Sequence, residues 1–142
     1  MKLKPKVKPD AEYWGIEADE ETAAVNTRWL ELLDSEQRKR CPMSRGLLDY
    51  FPDALAMVSH VSWVGNEKHN PGEDVHWARG KSMDQEDCLV RHITTRDEVD
   101  VVETESGTYV LPHRAMVAWR ALADLLQWME EEFDLAMPTG AK

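Results

Sequence analysis

Apolar side chains that return every three or four residues dominate this sequence, and that period commits most of the chain to helices. In the clearest run, Ala54, Met57, Val61 and Val64 line one face, with Leu55 and Val58 beside them. Pro52 fits the first turn of such a helix, where its missing N–H costs nothing, so a helix is expected from about Phe51 to Lys68. As the most apolar segment, it is the expected centre of the fold. Val25, Trp29, Leu32 and Leu33 form a second stripe within a segment from about Asp19 to Arg40. Its opening acids and its closing Arg38, Lys39 and Arg40 match the helix dipole. A third helix begins at Ser82, with Gln85 placed for a Ser-x-x-Gln capping box. It carries Cys88, Leu89 and Ile93 and frays near Arg96. Pro112 opens the last helix, which reaches about Phe133 with Trp119, Leu122, Leu126, Met129 and Phe133 at helical spacing.

Residues 98–111 break this period. Val99, Val101 and Val102, then Glu105-Ser106-Gly107, then Tyr109, Val110 and Leu111 read as a small β-hairpin or an extended excursion. The expected fold is therefore mainly α: a four-helix bundle with a short β excursion before the last helix. Residues 1–18, with alternating lysines, Pro5 and Pro9, read as an N-terminal arm. A single all-α domain is expected over 19–136, and a polar C-terminal tail over 137–142.

A chain of 142 residues can close one core. Its formal net charge of −10 argues against general nucleic-acid binding, because a phosphate backbone repels so acidic a body. A small phosphorylated ligand stays open, since clustered carboxylates meet phosphates through a divalent cation. Cys41 and Cys88 show no metal-type pairing and are expected as reduced thiols. With no secretory signal and no apolar run near the ~20 residues needed to span a membrane, the expected protein is soluble and cytoplasmic. Six tryptophans and seven methionines exceed the needs of a small core. They are either ordinary core residues or an interface, and a homo-oligomer (dimer or tetramer) is expected.

The connection from Gly65 to Asp87 is far longer than links between packed helices usually are. Long charged connections held by a helix at each end are where binding and catalysis tend to sit. At ~100° per residue, Asp84, Asp87 and Arg91 share one helix face, where two carboxylates can share a hard cation. The alternative is plain helix chemistry: acids favoured in a first turn and an i, i+4 ion pair. Glu67 stands at a helix C-terminus, which disfavours an acid, so it needs Lys68 or a metal as partner, or lies solvated. His69, His76, His92 and His113 lack zinc-type spacing and read as phosphate donors or surface residues.

Five blocks occur in order: Leu-Asp-Tyr-Phe-Pro-Asp-Ala-Leu-Ala (48–56), Gly-Asn-Glu-Lys-His-Asn-Pro-Gly-Glu (65–73), His-Trp-Ala-Arg-Gly-Lys-Ser (76–82), Asp-Cys-Leu-Val-Arg-His (87–92) and Val-Ala-Trp-Arg-Ala-Leu (117–122). Over about residues 44–128 the chain resembles the phage and prophage family of dATP/dGTP diphosphohydrolase N-terminal domains, relatives of the all-α MazG-like nucleoside triphosphate pyrophosphohydrolases. That resemblance implies Mg²⁺-dependent hydrolysis, with Mn²⁺ as a substitute, of a purine (deoxy)nucleoside triphosphate such as dGTP or dATP to monophosphate and pyrophosphate. It implies metal ligation and catalysis by Glu67, Asp84 and Asp87. The sequence departs from the MazG-like pattern at Asn70, where an acid is expected, so Asp53 or Asp124 would supply a fourth carboxylate. Lys68, Arg91, Arg79 and Lys81 would neutralise phosphate charge, Trp77 would stack on the base, and His69, His92 or His113 would donate to phosphate.

Overall fold

The computed structural model describes residues 28–142. The N-terminal arm, Val25 and the acids that open the first expected helix lie outside the described residues. Helix α1 spans Trp29–Leu32 and α2 spans Ser35–Lys39. Asp34 separates them: its carboxylate accepts from the Gln37 N–H at 2.8 Å, and the Gln37 side chain accepts from the Asp34 N–H at 2.8 Å. This reciprocal cap starts a new helix and holds Asp34 in extended backbone. The single helix expected through Arg40 is therefore broken, although Leu33 is buried as its stripe required.

A π-helical turn at Ser44–Leu48 leads into α3, Pro52–His69, with the proline in its first turn. Helix α4, Gln85–Thr94, begins two residues later than the capping-box pattern predicts. Gln85 Nε2 donates to the Ser82 carbonyl at 3.2 Å instead of closing the box, and Asp84 becomes the cap residue. The β excursion is an antiparallel hairpin of β1, Val99–Thr104, and β2, Gly107–Pro112, with Val101 opposite Val110. The turn returns through Gly107 at φ +143°, a conformation open to glycine and strained for other residues. Helix α5, His113–Phe133, ends on Asp134 in the left-handed region (φ 51°).

The centre of the fold is α5 and not α3. Helix α5 packs against α4, α3 and β2, and it buries Ala115, Met116 and Ala123. The core forms where Val64 of α3, Val102 and Leu111 of the hairpin and Met116 of α5 meet, with Val61, Trp63 and Tyr109 packed around them. The expected stripes are only half used. Val64 is buried, but Ala54 and Met57 of α3, Ile93 of α4 and Leu122 of α5 are exposed. Trp119 Nε1 donates to Ser62 Oγ at 2.7 Å and ties α5 to α3 beside the long connection. No helix among the described residues is long and apolar enough to cross a membrane.

The polar C-terminal tail, residues 137–142, pairs with the long connection. Ala141 is buried and bridges Trp77 in parallel. The Trp77 N–H donates to Gly140 at 2.7 Å, and the Arg79 N–H donates to Lys142 at 3.0 Å.

Candidate functional site

The long connection folds back over α3 because Asn66 holds it there. Asn66 is 2% exposed: its amide donates to the Glu73 carbonyl at 2.8 Å, and its oxygen accepts from the His76 N–H at 3.4 Å. Lys81 continues the closure, donating to the His69 carbonyl at 3.1 Å and to Asn70 Oδ1 at 3.0 Å. Between this connection, α3, the start of α4 and α5 lies a cavity of about 660 Å³. That volume is in the ordinary range for a small-molecule site.

One wall is aromatic. Trp77 and Trp119 meet edge to face, with centroids 5.4 Å apart, and both line the cavity. The opposite character comes from Lys81, Arg91 and Arg120, with His69, His76 and His92 among them. Among the described residues Asp84 is the one carboxylate on this lining. It accepts from Ser82 Oγ at 3.1 Å, from Cys88 Sγ at 3.5 Å and from Arg91 Nη2 at 3.3 Å. The Arg91 guanidinium first, then Cys88 and Ser82, hold the Asp84 carboxyl below its ordinary range. Asp84 in turn holds the Arg91 charge more firmly in place. Arg91 also donates to Cys88 Sγ at 2.8 Å, and both cysteines are free thiols.

The neighbouring cations act on the histidines. Burial first, then His113, Arg120 and Arg91, lower the His92 pKa, with Asp100 opposing; burial, Lys68 and Lys81 lower that of His69. His92 Nδ1 lies 2.9 Å from His113 Nδ1, so at most one of the two atoms carries the hydrogen between them. His113 itself is outside the cavity lining, joined also to Thr95 Oγ1 at 3.1 Å.

The expected residues thus divide. His69, Trp77, Lys81, Asp84, Arg91 and His92 share the cavity. Glu67 and Lys68 are absent from its lining, because the face of α3 that meets the cavity runs through Val61, Gly65, Asn66 and His69. Asp87 instead borders a second recess with Asp84, Glu86, Asp124 and Glu131. Among the described residues Asp84 alone borders both. Among the described residues no three His, Cys, Asp or Glu side chains gather closely enough to hold a metal ion. Glu67, Asp84 and Asp87 therefore do not form the shared cation site expected of them, and the donor set does not fit a protein-built Mg²⁺ centre.

Arg79 is committed elsewhere as well. Its guanidinium pairs with the Glu130 carboxylate through both terminal nitrogens and lies 4.2 Å from the Trp77 ring centroid. It anchors the connection to α5 and holds the tryptophan, rather than reaching for phosphate.

Sequence reasoning missed Arg120. It donates through Nη1 to Ser82 Oγ at 2.9 Å and to Gln85 Oε1 at 2.8 Å, and it lines the cavity. Its signal was an arginine placed directly after a stripe tryptophan, midway along an otherwise largely uncharged helical stretch. The spacing marks Trp119 only as a member of the α5 stripe, and the structure makes it half of the aromatic wall.

Comparison with curated proteins and with solved structures finds no match. The family model described as dATP/dGTP diphosphohydrolase, N-terminal, matches residues 33–136, which takes in every cavity residue named above except Gly140 and every helix from α2 to α5. The chain therefore belongs to the dATP/dGTP diphosphohydrolase N-terminal domain family.

Proposed function

We propose that this chain hydrolyses purine (deoxy)nucleoside triphosphates such as dATP or dGTP to monophosphate and pyrophosphate in the cavity between α3, α4 and α5. The observation that carries this reading is the pairing of an aromatic wall, Trp77 and Trp119, with Lys81, Arg91 and Arg120 in one cavity of about 660 Å³. Membership of a family named for dATP/dGTP diphosphohydrolase supports the same substrate. In this proposal the base lies against the tryptophans and the phosphates lie toward the cations. Arginine donors fixed by Asp84, Ser82 and Gln85 stabilise charge that develops on the phosphoryl oxygens. The Mg²⁺ or Mn²⁺ expected of the reaction is proposed to enter with the triphosphate as its counter-ion. Kinship with the MazG-like enzymes and assembly as a homo-oligomer belong to the same proposal.

Pyrophosphate release from dATP and dGTP in the presence of Mg²⁺ tests it. Turnover is expected with both purines and is expected to fall at least about 100-fold in Arg91→Ala, the scale of losing an oxyanion donor. A second reading, a nucleotide-binding module without turnover, is favoured by one observation: Glu67 and Asp87 stand apart from the cavity. Thermal stabilisation by dATP without pyrophosphate release would select it.

A further inference from the structure

The charges on the cavity wall are of the wrong sign for a carboxylate-built metal site and of the right sign for an anion. Among the described residues, Lys81, Arg91 and Arg120 face it against one carboxylate, Asp84. That carboxylate is already engaged by Ser82, Cys88 and Arg91. Mg²⁺ demands near-octahedral oxygen ligation and is usually held by one or two carboxylates together with substrate phosphates. The other acids nearby, Glu86, Asp87, Asp124 and Glu131, border the second recess instead. Arg120 makes its two side-chain hydrogen bonds through Nη1, and these aim its guanidinium from α5 toward the start of α4. Burial is the largest cause that lowers the two histidine pKa values, and the cations act in the same direction: Arg120 and Arg91, after His113, on His92, and Lys68 and Lys81 on His69.

We propose that the cavity receives a polyphosphate directly on Arg91, Arg120 and Lys81, so that nucleotide binding needs no divalent cation. The inference rests on the nucleotide reading above and concerns binding, not turnover. A Mg²⁺ ion bound to the triphosphate would compete with these side chains for the same oxygens. Binding in excess EDTA is therefore expected to stay within about tenfold of binding in saturating Mg²⁺. Because the contacts are charge on charge, it should weaken steeply with added salt.

Calorimetric titration of the full chain with dATP, in EDTA and again in saturating Mg²⁺, decides the matter. Inorganic tripolyphosphate serves as a probe that carries no base. The expected result is dATP and tripolyphosphate binding in EDTA, with the dATP affinity there less than about tenfold below the Mg²⁺ value. Arg120→Gln and, separately, Arg91→Gln should each lower the EDTA affinity at least about tenfold. Circular dichroism identifies whichever variant stays folded, and one folded variant is enough. Binding that appears only with Mg²⁺, a Mg²⁺ advantage of about tenfold or more, or a folded arginine variant with unchanged affinity overturns the inference. No binding of dATP or dGTP under either condition would instead refute the nucleotide reading itself.

Discussion

Arg79 shows how a residue's chemistry can be read correctly and its job misread. A guanidinium in a charged connection is a natural phosphate ligand, but here it is nearly buried against Glu130, with side-chain exposures of 18% and 14%. Removing one member of such a pair leaves the other charge desolvated and alone. Arg79→Ala is expected to destabilise the fold by about 3 kcal/mol, while the Arg79→Ala/Glu130→Ala double variant should recover part of that loss. Urea unfolding of the four members of the cycle measures the coupling. A second residue-scale prediction concerns pH. Burial, His113, Arg120 and Arg91 place the folded His92 pKa below its ordinary 6.5, with only Asp100 opposing. As pH falls, the unfolded chain therefore takes the proton first. The stability contributed by neutral His92 is full above 6.5, is lost as pH drops from 6.5 toward the folded pKa, and changes no further below it. The effect is modest because water reaches the ring. His92→Gln should flatten the fall in urea midpoint between about pH 7 and about pH 5, and an unchanged slope would assign that fall to other groups.

At the scale of elements, periodicity located what local sequence controls. Pro52 marks the start of α3, the Glu-Ser-Gly turn marks the hairpin, and Phe133 marks the end of α5 within a residue. It failed where a side chain chose between two local bonds. Asp34 preferred to cap α2, and Gln85 preferred the Ser82 carbonyl, so one helix broke and another started late. The cavity was half legible: residue type picked out Trp77, Lys81, Asp84, Arg91 and His92. Which acids would share it was not, because Glu67 and Asn66 are one position apart and helix rotation alone sends one outward and the other in. The pairing of the C-terminal segment with Trp77 had no local signal, since a single β-bridge is a tertiary contact. That pairing has a measurable consequence. Ending the chain after Pro138 removes the acceptors of the Trp77 and Arg79 N–H groups. Hydrogen exchange at those two amides should then speed up, while the amides of α5 near Ala123 keep their protection. Unchanged exchange at Trp77 would mean that Asn66, Lys81 and the Arg79–Glu130 pair hold the connection without the C-terminal segment.

At the scale of the whole molecule, large apolar side chains among the described residues are more often exposed than fully buried. Leu33, Val64, Val102, Leu111 and Met116 are the large apolar side chains among the buried residues. Eighteen others are exposed, and exposed apolar residues matter where they gather in one patch. They are not scattered. Val99, Val101 and Val110 occupy one face of the hairpin, whose core-facing side carries Val102 and Leu111. Leu122, Leu125 and Trp128 follow one another at intervals of three along α5 and are 52%, 50% and 40% exposed. A two-stranded hairpin is at best marginal alone, and its outer edges and valine face are suited to meeting another chain. The homo-oligomer proposed with the function is thus expected to bury the α5 row or the hairpin face. Sedimentation equilibrium should give a mass of at least twice 16.3 kDa, and the melting temperature should rise with protein concentration. Leu122→Glu/Leu125→Glu and Val101→Lys/Val110→Lys each place charge on one of these surfaces without touching the core cluster. The pair that lies in the interface should return the mass to 16.3 kDa, and the other should leave it unchanged. A wild-type chain that sediments as a monomer throughout would show that both surfaces face solvent.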